Sequence, residues 1–111
     1  MLIEIVRGEK LPVEFSLVNE EGESITNVDD ITITCRKLPY EDSPILFQKK
    51  FSDVILENNK YIFTILEEDT KDLNYGSYGY DIKITDGDLI QKFVGEIIIK
   101  EEYNNEYNTE A

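Results

Sequence analysis

Residues 74–84, Asn-Tyr-Gly-Ser-Tyr-Gly-Tyr-Asp-Ile-Lys-Ile, constrain the chain more than any other stretch. Asn74, Gly76 and Ser77 supply turn chemistry,. Directly after them come alternating apolar and polar side chains, the period of a half-buried strand. The segment therefore predicts a strand that leaves a tight corner, with Tyr78, Tyr80 and Ile82 on one parity.

Most of the remaining sequence repeats that grammar. Leu2–Val6 is a short apolar run closed by Gly8, and Leu11–Val18 follows with Val13, Phe15 and Leu17 on one face and Glu14 and Ser16 on the other. Ile31–Lys37 comes next, then a loop bounded by Pro39 and Pro44, where two prolines block sheet pairing,. Ile45–Phe51 carries Gln48, Lys49 and Lys50, which predict an edge or a solvated face,. Asp53–Leu56 is a possible short paired piece before a turn at 57–60, and Tyr61–Ile65 is a further strand. Glu67–Leu73 has no β-rich run, and its leading acids predict one helical turn crossing between sheets,. Asp86-Gly87 predicts a hairpin into Leu89–Lys100,. There Phe93, Ile97 and Ile99 differ in parity from Val94 and Ile98, so Gly95 between them is expected to form a bulge,.

About seven antiparallel strands, frequent turns and a single crossover corner predict an all-β, immunoglobulin-like β-sandwich with one short helical turn at the E–F corner. In such a fold a tyrosine near the start of strand F bonds back to the corner backbone, and Tyr78 stands at that position,. Tyr80 lies where an antibody domain has its second cysteine. Ile82, Cys35, Phe15 and Phe63 complete the expected core. A small closed barrel is the other arrangement these strand lengths permit. The expected domain covers residues 1–100, and residues 101–111 read as an acidic, flexible tail without apolar periodicity,.

The chemistry-bearing residues are few. The 111 residues include no histidine, so no Ser-His or Cys-His pair exists,. Acidic pairs at Asp29-Asp30, Glu67-Glu68-Asp69 and Asp86/Asp88 sit in polar turns, where nothing apolar would raise a carboxyl for acid catalysis,. Asp86-Gly87-Asp88 lacks the spacing and distal glutamate of a calcium loop, and no glycine-rich phosphate loop is present,. No catalytic residue, cofactor or metal site is expected. The lone cysteine, Cys35, rules out an internal disulfide and reads as a small buried hydrophobe,. A net charge of −13 disfavours nucleic acid and anionic lipid as partners,. No apolar run approaches the roughly 20 residues of a membrane helix, and the start has no signal-peptide pattern,. Tyr40, Tyr75, Tyr103 and Tyr107 fall in loops and tail, the residue type and placement of a protein interface,.

In order along the chain stand Arg7-Gly8-Glu9, Glu20-Glu21-Gly22, Ile31–Lys37, Leu46-Phe47-Gln48-Lys49-Lys50, Glu67-Glu68-Asp69-Thr70 with Leu73, Tyr75-Gly76-Ser77-Tyr78-Gly79-Tyr80-Asp81-Ile82, and Gly95-Glu96. Their order and spacing resemble the immunoglobulin-like N-terminal domain of baseplate upper proteins from phages and prophages of Gram-positive bacteria. The resemblance spans residues 2–99. It implies a non-enzymatic virion protein made in the bacterial cytoplasm, an accessory baseplate, tail or capsid-decorating subunit. Such a protein would be monomeric alone, repeated by symmetry in the particle, and partnered by other virion proteins. The alternative expectation is a carbohydrate- or host-surface-binding module, which needs tyrosines grouped on one exposed face.

Overall fold

The computed structural model describes residues 1–38 and 42–101; Tyr40, Tyr103, Tyr107 and all of the expected tail except Glu101 lie outside them. The described residues form an all-β protein of two sheets. The strands are β1 (Leu2–Val6), β2 (Leu11–Phe15), β3 (Asp30–Arg36), β4 (Ile45–Lys49), β5 (Ile55–Glu57), β6 (Lys60–Ile65), β7 (Gly76–Asp86) and β8 (Leu89–Lys100). A 3-10 turn at Phe51–Asp53 precedes β5, and the one α-helical turn among the described residues, α1, is Glu67–Thr70. One sheet has the order β1-β8-β7-β3-β4 and the other β2-β6-β5.

Three features differ from the sequence expectation. The short paired piece expected at Asp53–Leu56 is instead Ile55–Glu57, paired as β5 against β6 with Asp53 in the 3-10 turn before it, and it brings the described strands to eight. The first strand runs parallel to the last, with Leu2 beside Glu96 and Val6 beside Lys100. The chain also crosses between the sheets at four connections, β1–β2, β2–β3, β4–β5 and β6–β7, in place of a single corner. Turn chemistry sets the tightest link: Asn58 and Asn59 both have positive φ, at 52° and 64°, the pair that a two-residue type I′ hairpin requires.

Alternation builds the core as predicted for most strands. Ile31, Ile33 and Cys35 of β3 are almost fully buried, as are Tyr61, Phe63 and Ile65 of β6 and Ile97 and Ile99 of β8. Tyr80, Ile82 and Ile84 of β7 join them, and residues from both sheets make one cluster. Phe15 is only half-buried; its ring stacks on Tyr61 at 5.3 Å and tilts against Phe63 at 6.2 Å.

Gly95 is not a bulge. The β7–β8 register runs without interruption from Gly76 opposite Ile99 to Asp86 opposite Leu89, with Tyr80 directly across from Gly95. The glycine is there because Tyr80 lies over it: a Cβ on Gly95 would come 2.5 Å from both Cζ and Oη of Tyr80, and would also meet the Met1 carbonyl. The ring crosses this gap so that its hydroxyl can donate to the Met1 carbonyl oxygen at 3.0 Å, fastening the start of β1 to the sheet. Gly95→Ala should therefore lower unfolding stability in urea by about 1–3 kcal/mol, the usual cost of overpacking. The loss should shrink in a Tyr80→Ala background, because the two side chains compete for one space.

Candidate functional site

The residues that sequence reasoning singled out converge first on a corner. Asp69 accepts a hydrogen bond from the Leu66 N–H at 2.7 Å, which caps the first turn of α1,. The same carboxylate oxygen lies 2.6 Å from Nζ of Lys49, with both side chains about nine-tenths buried. Lys49 thus corrects the expectation of a solvated face. Strand β4 is an edge of its sheet, but Lys49 points inward on the parity of buried Phe47.

Next to Asp69, fully buried Thr70 accepts the Gly8 N–H on Oγ1 at 2.9 Å. Gly8 reaches it in the left-handed region, at φ 80°, where a Cβ would be strained. Arg7 donates to the Leu73 carbonyl at 3.4 Å and lies 4.3 Å over the Tyr75 ring. Tyr78, half-buried, donates its hydroxyl to the Asn74 carbonyl at 2.6 Å. The β1–β2 and β6–β7 crossings are therefore tied to each other.

Of the four tyrosines expected at an interface, Tyr75 alone falls among the described residues, and Arg7 covers one of its faces. Tyr61 is buried, with its hydroxyl donating to the Ile25 carbonyl at 2.8 Å. Burial raises the Tyr61 hydroxyl above its ordinary value, helped by the Asp86 charge, and burial alone raises Tyr80. Cys35 has no exposure, and burial, with a contribution from the Asp69 charge, pushes its thiol up to about 12. It is a core residue without nucleophilic character at neutral pH. Among the described residues no group of three or more acids, cysteines or histidines is placed to hold a metal.

Two surfaces remain. The outer face of the five-stranded sheet has a shallow polar groove lined by Thr32, Thr34, Arg36, Gln48, Asp81, Lys83 and Lys92. Gln48 donates to Thr34 Oγ1 at 2.9 Å, and Lys83 and Lys92 stand directly opposite each other. The second surface is the first half of β8. Leu89, Ile90, Phe93 and Val94 are 57, 61, 47 and 73% exposed. Strand β1 covers β8 only from Glu96 to Lys100, so among the described residues no strand pairs with 89–95 on that side. The signal was present in the sequence as apolar residues of both parities, which a bulge at Gly95 explained wrongly.

No protein-family model matches the chain, and no curated protein sequence does. Among solved structures, a family 123 glycoside hydrolase from Clostridium perfringens, studied for glycolipid glycan hydrolysis, is similar at TM-score 0.42 and 18% identity. The match covers 92% of this chain and 23% of that one. A likeness of that degree carries no argument about chemistry or shared fold.

Two outcomes follow. Lys49→Ala and Asp69→Ala should each destabilise by about 3–5 kcal/mol, because each leaves a buried charge alone. Lys49→Met combined with Asp69→Leu should recover a large part of that loss in urea titrations. The second outcome concerns pH. The folded thiol of Cys35 ionises near 12 against an ordinary 9.0. The unfolded chain thus releases its proton first, and stability is full below pH 9 and falls as pH rises towards 12,. Buried Tyr61 and Tyr80 act in the same direction. Melting points of Cys35→Ala should fall less steeply above pH 9 than those of the parent chain.

Proposed function

We propose that the chain is an immunoglobulin-like sandwich serving as a non-enzymatic structural protein of a phage particle, an accessory baseplate or tail subunit or a capsid-decorating one. The strand orders β2-β6-β5 and β8-β7-β3-β4 support that fold, as strands B-E-D and G-F-C-C′ of a sandwich,. The bond from Tyr78 to Asn74 supports it as a tyrosine corner,.

One observation carries the functional reading. Arg7-Gly8, Thr70, Leu73 and Tyr75, distant pieces of the pattern that resembles baseplate upper proteins, meet as one set of contacts. Pieces that share a physical task are better evidence of a common design than pieces matched only in order. The partners in this reading are other virion proteins, and the exposed apolar half of β8 is a fitting contact surface,. With −13 of charge the chain is monomeric when dilute and is repeated by symmetry in the particle,.

Particles induced from a strain encoding the chain, purified and analysed by quantitative mass spectrometry, should contain it at a fixed ratio to the major structural proteins. Its absence from washed particles would reject the reading. The polar groove on the five-stranded sheet favours a second reading, a host-surface glycan module. Its hydroxyl, amide and charged groups suit sugar hydroxyls, although Tyr61 and Tyr80 are buried in the core. Specific hits on a glycan array that Lys83→Ala and Thr34→Ala abolish would favour this second reading.

A further inference from the structure

We infer that a slot between the β2–β3 linker and the β7–β8 hairpin receives a branched aliphatic side chain, flanked by lysines or arginines, from a partner protein. The inference rests on the reading of β8 as a contact surface and names the chemistry of what that surface takes. It does not require the partner to belong to a particle.

The slot joins segments that are far apart in sequence. Leu17, Ile25 and Val28 come from the linker, residues 16–29, Ile84 and Asp86 from β7, and Leu89 and Gln91 from β8. It stays open because the inner side of β8 is not covered along its first half. Leu89, Gln91 and Phe93 have the parity of buried Ile97 and Ile99, yet all three are exposed. Backbone bonds fix the shape before any partner arrives. The Ile25 N–H donates to the Leu17 carbonyl at 2.8 Å, and the Asp29 N–H donates to the Thr85 carbonyl at 2.9 Å. From the core, the Tyr61 hydroxyl holds the Ile25 carbonyl at 2.8 Å. A preformed apolar recess needs little ordering when it binds.

Volume decides the size of the guest. The slot measures about 50 Å³. A cavity holds one water in roughly 10–15 Å³, and one of about 150 Å³ holds benzene. The recess is therefore too large for a single water and too small for an aromatic ring. A valine, leucine or isoleucine side chain fits between those limits.

Charge decides what flanks it. Residues 16–30 contain five acids and residues 84–91 contain two, and neither stretch has a lysine or arginine. No ion pair among the described residues includes Asp86 or Asp88. An apolar recess in such surroundings selects a guest whose neighbours are cations. The net charge of −13 draws a basic partner from a distance and rejects an acidic one, a second copy of this chain included,.

The test uses the pentapeptide acetyl-Lys-Lys-Leu-Lys-Lys-amide, titrated to about 10 mM into the isotope-labelled chain and followed by NMR. Saturable shifts should centre on the amides of Leu17, Ile25, Val28 and residues 84–91. Replacing the peptide's leucine by serine should weaken binding about tenfold, the worth of burying that side chain. Phenylalanine in its place should also bind more weakly, and raising salt from about 50 to about 500 mM should weaken the leucine peptide severalfold. Leu89→Lys, at a 57% exposed position, should abolish binding without altering the melting point. Asp86→Asn should weaken binding severalfold. Ile55→Lys, at a 63% exposed apolar position on the other sheet, should leave binding unchanged. An absence of shifts, or shifts centred elsewhere, would overturn the inference. So would equal binding of the serine or phenylalanine peptide, or equal loss on Ile55→Lys, since these outcomes would mean general adhesion of a polycation. Particles that lack the chain, by contrast, would reject the structural role in a phage and leave this binding result intact.

Discussion

The buried pair of Lys49 and Asp69 holds the place where the chain changes sheets, and the neighbouring structure follows from it. A protein of 111 residues with one buried cysteine has no covalent staple among its described residues. Its crossings must be fixed by side chains. Asp69 does this twice with one oxygen, capping the Leu66 N–H and binding Lys49 from the edge of the opposite sheet. Burying both charges costs desolvation that their attraction only partly offsets. What the pair provides is position. With α1 held, Thr70 meets Gly8, and the β1–β2 link closes against the helical turn. The leading acids of α1 also match the positive end of the turn, although the effect is small in four residues,.

Strand existence was legible in the sequence because period-two alternation is local. Leu2–Val6 and Leu89–Lys100 have the bounds that their apolar runs define, and Glu67–Thr70 is helical where the acids begin. The bond from Tyr78 to Asn74 was within reach of the local sequence because it spans only four positions. Lys49 was not legible. A lysine within a strand is solvated in the absence of a partner, and its partner lies 20 positions away on the helical turn between β6 and β7. The parallel pairing of β1 with β8 was equally hidden, because no local pattern links residues 2–6 with 96–100. Gly95 misled for a related reason. In isolation a mid-strand glycine reads as a bulge, and only the ring of Tyr80 reveals it as a close approach,.

Edge protection differs from strand to strand, and that difference explains why β8 is the exception. Strand β5 is three residues long, too short to template another strand,. Strand β4 turns Lys49 inward, a charge that an incoming strand would disturb,. Strand β1 sets Glu4 on its exposed face against Lys100, at 3.2 Å. Residues 89–94 of β8 have one charge, Lys92, among four exposed large apolar side chains. A sheet with such an edge would associate without limit if nothing opposed it. Two features oppose it here. Met1 and β1 take up the row of β8 from Glu96 onward, which shortens the edge that another strand could reach,. The charge of −13 adds a long-range repulsion that short-range pairing must overcome,. Repulsion falls with ionic strength, so the protection that this edge lacks in its own side chains is supplied at low salt by the charge of the whole chain,.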